Sequence, residues 1–148
     1  MVRFIKMKSM VFLTSALCVV VFPHVFAKDY YLAKQNVNWF GAMEYCIFHG
    51  MQLATVESQV EQIELEAVLA HDGDAPGHIW IGGSDLAKKG NFVWSPTAEP
   101  FTYTSWAYSK SRPGYTRRCV QQHHQDGIIG WVVQDCFHIL WVVCETLD

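Results

Sequence analysis

The stretch from Cys119 to Cys144 limits this chain more than any other. It holds three of the five cysteines, and between them run Gly130-Trp131-Val132-Val133 and Ile139-Leu140-Trp141-Val142-Val143. Short β-branched and aromatic runs bounded by glycine and polar residues read as strands. Two such strands, separated by one cysteine and closed by another, describe the stapled centre of a disulfide-bonded domain. Trp131, Phe137 and Trp141 are its expected aromatic anchors.

The cysteine count depends on where the mature chain starts. Arg3, Lys6 and Lys8 precede an apolar run from Met10 to Phe22, and Val25-Phe26-Ala27 follows it. That run is too short to span a bilayer and has the length of a signal-peptide core. Residues 1–27 therefore read as a signal peptide and 28–148 as one secreted, extracellular domain. Cleavage removes Cys18 and leaves four cysteines. An even count in a secreted chain favours disulfides over metal thiolates, and four cysteines allow three pairings. The mature chain keeps eight of the eleven Lys and Arg and all fourteen acids, a net charge of −6. With 14% aromatic and 17% charged residues it is not a disordered chain. No repeat or linker divides it, and no second apolar segment is long enough to cross a membrane.

Asp29-Tyr30-Tyr31-Leu32-Ala33 suits an edge strand. Asn38 is a good N-cap for a helix from Trp39 towards His49, ended by Gly50. Its apolar face is read as Trp39, Ala42, Met43, Cys46 and Ile47. Ser58 with Glu61 makes a capping-box pattern for a second helix, whose buried face is read as Val60, Ile63, Ala67 and Val68. Glu57, Glu61, Glu64 and Glu66 suit the start and the solvated side of that helix. His78-Ile79-Trp80-Ile81-Gly82-Gly83 reads as a buried strand ending where backbones approach closely. Asn91–Trp94 and Phe101–Tyr103 read as shorter strands. From Thr104 to Arg118 no periodicity is visible, and Pro113-Gly114 falls inside; such a loop in a compact domain is usually functional.

Taken in order, Trp39-Phe40-Gly41-Ala42, Cys46, Gly50-Met51-Gln52-Leu53-Ala54, Trp80-Ile81-Gly82-Gly83, Trp106, Cys119, Gly130-Trp131, Cys136 and Val142-Val143-Cys144-Glu145 resemble the secreted single-domain C-type lectins. The likeness covers roughly Tyr30 to Glu145. It implies an α+β C-type lectin-like domain of the short form, with two helices, small antiparallel sheets, a long loop and two disulfides. It also implies the pairing Cys46–Cys144 and Cys119–Cys136. The first would close about 98 residues, for ~4–5 kcal/mol, and the second about 17 residues, for ~3 kcal/mol, in a chain-entropy account.

The same resemblance implies where calcium-dependent sugar binding would sit. The family holds calcium with a Glu-Pro-Asn or Gln-Pro-Asp triplet, a Glu two residues before the third cysteine, and Trp-Asn-Asp. Calcium needs six to eight oxygen ligands. Here the triplet position matches Arg112-Pro113-Gly114, the Glu position matches Arg117, and Trp131-Val132-Val133 stands in the last motif. Glu99-Pro100 precedes Trp106 and does not fit the triplet. The expectation is that the calcium site is absent and that the protein has no cofactor.

Other chemistry is weaker. His123-His124 with Asp126 could suggest zinc, but neighbouring residues on a strand point apart and no further ligand has a recognisable spacing. Asp72-Gly73-Asp74 reads as an ordinary turn. No catalytic motif is present, so the chain is not expected to be an enzyme. Charge gives the remaining clue. Eight acids and no Lys or Arg lie between Gln35 and Ala87, whereas Phe101 to Gln125 carries Lys110, Arg112, Arg117 and Arg118 with no acid. These four cations, with Tyr108 and Tyr115 as stacking surfaces, are the candidate ligand-binding residues. The partner expected is a glycan or glycoprotein, with anionic ones favoured by these cations, bound independently of calcium. The alternative is a lectin-like module that binds an extracellular protein in innate immunity or reproductive fluid. A third possibility is that an arginine takes the place of calcium by pinning the loop to Asp126 or Asp135. No nucleic-acid partner is expected.

Overall fold

The computed structural model describes residues 28–108 and 116–147. Residues 1–27, read above as a signal peptide, lie outside them, as do Lys110, Arg112 and Tyr115 of the loop. The elements run β1 (Tyr30–Val37), α1 (Trp39–Phe48), β2 (Met51–Leu53), α2 (Gln59–His71), β3 (His78–Ser84), β4 (Val93–Trp94), β5 (Glu99–Pro100), β6 (Arg117–Gln125), β7 (Ile128–Asp135) and β8 (Leu140–Thr146). The architecture is the expected α+β, two-helix, two-disulfide one. The strands differ from expectation in forming one connected sheet of eight among the described residues. β8 pairs antiparallel with β1 and β2 but parallel with β3, where Ile79 faces Trp141 and Trp80 faces Val142. β3 and β8 are joined by a long excursion rather than a hairpin, and such a connection permits parallel pairing.

β3 explains the rest of the core. Its side chains alternate between two faces that are both covered, so its sequence is an unbroken apolar run. Ile79 and Ile81 join Tyr30, Leu65, Leu69 and Trp131 in one cluster, against α2. Trp80 joins Trp39, Ala42, Leu53 and Val142 in a second, against α1, together with both disulfides. Burying each such side chain is worth about 1.5–3 kcal/mol. The bridges are Cys46–Cys144 and Cys119–Cys136, with Cα separations of 5.5 and 5.1 Å. This is the pairing implied by the resemblance.

Both helix starts are as read, and both helix faces need correction. Asn38 accepts from Gly41 N at 2.9 Å, and Ser58 Oγ accepts from Glu61 N at 3.2 Å. The Glu61 carboxylate, however, takes the backbone N–H of Glu57 rather than that of Ser58. On α1 the buried positions are Trp39, Ala42 and Cys46, while Ile47 is 64% exposed. Ile47 is one residue past Cys46, a rotation of about 100° that carries it off the face. On α2 the buried positions are Gln62, Leu65 and Leu69, whereas Val60 and Ile63 are exposed. The observed face, which includes a buried glutamine, lies two residues on from Val60, Ile63 and Ala67 of the apolar pattern. Phe137 is no core anchor either; it is 71% exposed. Of the two short strands read downstream, Val93–Trp94 forms and pairs with Glu99–Pro100, while Phe101–Tyr103 is irregular. Ala98 turns the chain there with a positive φ of 60°, and Phe101 N still bonds Phe92 O at 3.1 Å.

Candidate functional site

The long loop is held at both ends by β7. On the entry side, Trp131 N donates to Ser105 O at 2.6 Å and Ala107 N donates to Trp131 O at 3.0 Å. This close zippering needs Gly130. Its φ is +139°, and a Cβ there would lie 2.6 Å from Ser105 O. Trp106 then joins a cluster of rings, 5.1 Å from Phe92 and 5.6 Å from Trp131, and Trp94 stacks on Phe101 at 4.2 Å. On the exit side the chain enters β6, where Arg117 stands opposite Asp135 and Cys119 opposite Gln134. The Cys119–Cys136 bridge fastens that end. β6 and β7 are themselves joined by Asp126-Gly127, both at positive φ (56° and 74°). Asn-Gly or Asp-Gly between two strands is the strongest short hairpin signal a sequence offers. β6 escapes an apolar-pattern reading because its buried positions include Gln121 and Gln122.

Beneath the loop a polar relay joins α2 to the hairpin. Trp131 Nε1 donates to Gln62 Oε1 at 2.8 Å, and Gln62 Nε2 donates to Gln122 Oε1 at 3.0 Å and Glu66 Oε1 at 2.7 Å. Gln62 and Gln122 are fully buried, so these bonds fix the helix on the strands.

The candidate ligand-binding residues separate. Arg118 is part of the framework: its Nε lies 2.6 Å from Asp85 Oδ1, and a second guanidinium nitrogen, Nη2, donates to Asp85 O. The other carboxylate oxygen accepts from Gly90 N at 2.7 Å, and the Asp85 side chain has no exposed surface. An arginine does pin the base of the loop, to Asp85 rather than Asp126 or Asp135. Arg117 is exposed and forms no ion pair among the described residues. Tyr108 is 53% exposed, with its ring 6.3 Å from that of His123. Lys110, Arg112 and Tyr115 lie outside the described residues.

The described positions of the family's calcium motifs do not fit a calcium ion. Arg117 brings positive charge, and Val132 and Val133 bring no side-chain oxygen. Asp72, Asp74 and Asp85 are each within ion-pair distance of a cation. Lys34 Nζ lies 3.1 Å from Asp72 and 3.8 Å from Asp74, and Arg118 holds Asp85. The Lys34 bond holds Asp72 below the usual carboxylate range. Among the described residues no three His, Cys, Asp or Glu side chains gather as a metal-ligand set.

Comparison with known proteins agrees with the fold. The family model for the lectin C-type domain matches residues 35–146. The chain belongs to the C-type lectin domain family. C-type lectin 16 of Aedes aegypti is 36% identical over 117 residues, 73% of this chain and 75% of that protein. Salivary C-type lectin 2 of Aedes albopictus is 34% identical over 84 residues, 55% of this chain and 56% of that one. Among solved structures, human lithostathine superposes with a TM-score of 0.70 at 26% identity, covering 82% of this chain and 84% of that one. C-type lectin domains are binding proteins and not enzymes. No helix of the described lectin domain is long and apolar enough to cross a membrane.

Proposed function

We propose that this C-type lectin domain is a secreted, extracellular recognition module that binds glycans without calcium and prefers anionic ones. The observation that carries this reading is the placement of cations where a calcium-type lectin needs oxygen. Arg117 replaces a carboxylate at the loop exit, Arg118 occupies Asp85, and Lys34 sits against Asp72 and Asp74. Arg117 is exposed at the start of β6 and forms no ion pair among the described residues, and Lys110, Arg112 and Tyr115 precede it in the chain. A planar guanidinium pairs sulfate or carboxylate through two parallel hydrogen bonds, which suits sulfated or sialylated glycans. Salivary C-type lectin 2, by its name, comes from a secretion, in line with an extracellular site of action.

The test is a glycan array run in EDTA at rising salt. Binding should survive chelation, weaken as salt screens the charges, and fall sharply in an Arg112→Ala, Arg117→Ala variant that still folds. The melting temperature should stay unchanged on calcium titration. A ligand at one hundred times its Kd stabilises by about 2.7 kcal/mol, so a clear rise at millimolar calcium would overturn the reading.

A second reading, a protein partner, has its own support. Phe137 and Phe40 are exposed with ring centroids 5.6 Å apart, and Phe48 on the same helix is 86% exposed. Under the glycan reading, Phe40→Ser and Phe137→Ser leave array binding intact; under the protein reading they abolish binding and the array stays blank.

A further inference from the structure

β3 and β6 place His78 directly opposite His123, and the two rings meet at 4.7 Å between centroids. Their Nδ1 atoms are 3.2 Å apart, and an amide atom of Gln121, two residues before His123 on the same strand face, lies 2.8 Å from His78 Nδ1. As hydrogen bonds these contacts are poorly matched. An imidazole Nδ1 offers one proton or one lone pair, not both. If His78 Nδ1 accepts, its single lone pair is shared between the Gln121 amide and His123 N–H. If the amide is turned over, one His78 proton is shared between two acceptors. In the first arrangement Gln121 Oε1, on a side chain only 1% exposed, has no partner at all. Buried polar atoms without a partner are uncommon and call for an explanation.

The spacing fits a different arrangement. With metal–nitrogen bonds of about 2.0–2.1 Å, two nitrogens 3.2 Å apart subtend an angle of about 100° at a shared ion, close to tetrahedral. Turned over, the Gln121 amide brings Oε1 to 2.8 Å from His78 Nδ1, the separation of two ligands at about 85° on one ion, and moves Nε2 into the buried position that Oε1 held. We infer that His78 Nδ1, His123 Nδ1 and Gln121 Oε1 form a site for a divalent transition metal of the imidazole-preferring class, zinc or copper. The His123-His124 pair suggested by the sequence is not the chelate; His124 is the next residue on the strand and points the other way. Burial first, and then the nearby His123 and His138, holds the His78 ring below its ordinary protonation range, which leaves the lone pair free for a metal at neutral pH. Both rings are half-buried, so the remaining position of the ion opens to water or to a donor atom from outside.

The mature, untagged chain should bind one equivalent of Zn2+ by calorimetry. The Cu2+ form should show the nitrogen hyperfine pattern of imidazole ligands by electron paramagnetic resonance. His78→Gln and His123→Gln should each weaken Zn2+ by about tenfold or more, and His124→Gln should not. Imidazole 15N shifts of the unmodified protein give a reading that no misfolded variant can confuse. Zn2+ should move the Nδ1 signals of His78 and His123. No saturable binding, shifts confined to other histidines, or equal affinity in the His78 and His123 variants overturns the site.

Discussion

Asp85 has no side-chain surface in contact with water, and Arg118 is the cation that compensates it. Removing one member of a buried pair leaves an uncompensated charge and costs about 3–5 kcal/mol, whereas replacing both with apolar groups costs far less. Arg118→Ala should therefore lower the unfolding free energy from urea melts by that much, and an Asp85→Leu, Arg118→Met double variant should recover most of it. Arg117→Ala, at an exposed position, should change stability by no more than about 0.5 kcal/mol. Two adjacent arginines thus divide between framework and surface. Glu145 gives a residue-scale prediction in pH. It is 1% exposed and accepts from Gln52 Nε2 at 2.6 Å, Thr55 N at 2.9 Å and Thr55 Oγ1 at 2.9 Å. Burial nevertheless raises its pKa above the ordinary value of 4.5, because the bonds and the charge of Lys28 only partly offset desolvation. A carboxyl with a raised folded pKa contributes stability below its unfolded pKa and loses that contribution as pH rises through the folded one. The stability of the native protein relative to Glu145→Gln should fall as pH rises from 4.5 through the raised value, measured by urea melts across that range.

At the scale of the element, α2 shows how a polar residue can set a helix face. Leu65→Ala should cost about 2–5 kcal/mol as a core truncation, while Val60→Lys and Ile63→Lys should each stay within about 0.5 kcal/mol. Gln62→Ala strands Trp131 Nε1 and the Gln122 amide, and each unsatisfied buried group costs about 1–3 kcal/mol. Chemical denaturation of these four variants separates the observed face from the one the apolar spacing suggests. The sequence was readable where local chemistry acts alone. Asn38 and Ser58 cap by reaching the next backbone N–H groups, Gly50 adopts a positive φ of 71°, and β3 is apolar because both its faces are covered. It was unreadable where a side chain's role depends on a distant partner. Nothing near Gln62 announces Trp131, sixty-nine residues away, and nothing near Arg118 announces Asp85. His78 and Gln121 likewise acquire their meaning only once β3 and β6 are paired. Of the candidate site, the resemblance located the loop and its base, while pattern alone did not separate Arg117 from Arg118.

At the scale of the molecule, the two disulfides differ in what they restrain. Cys46–Cys144 spans 98 residues and Cys119–Cys136 spans 17. Chain entropy assigns about 4–5 kcal/mol to the first and ~3 kcal/mol to the second. Paired Cys→Ala variants should follow that order in urea unfolding. The shorter bridge should matter more for ligand binding, since it fastens the strand that carries Arg117 out of the loop.

β8 has a further consequence, in the order of events at the ribosome. It is the strand that β1 and β2 pair with, and it carries the partner of Cys46, yet it comes after every other described strand. Synthesis delivers the N-terminal segments first. For most of translation, β1 and α1 wait with an open sheet edge and a lone thiol, and the fold closes only after residues 140–146 have emerged. Nascent chains arrested before residue 140 should keep Cys46 reactive to a maleimide probe, and chains in which an appended linker carries residue 146 clear of the ribosome should have lost that reactivity.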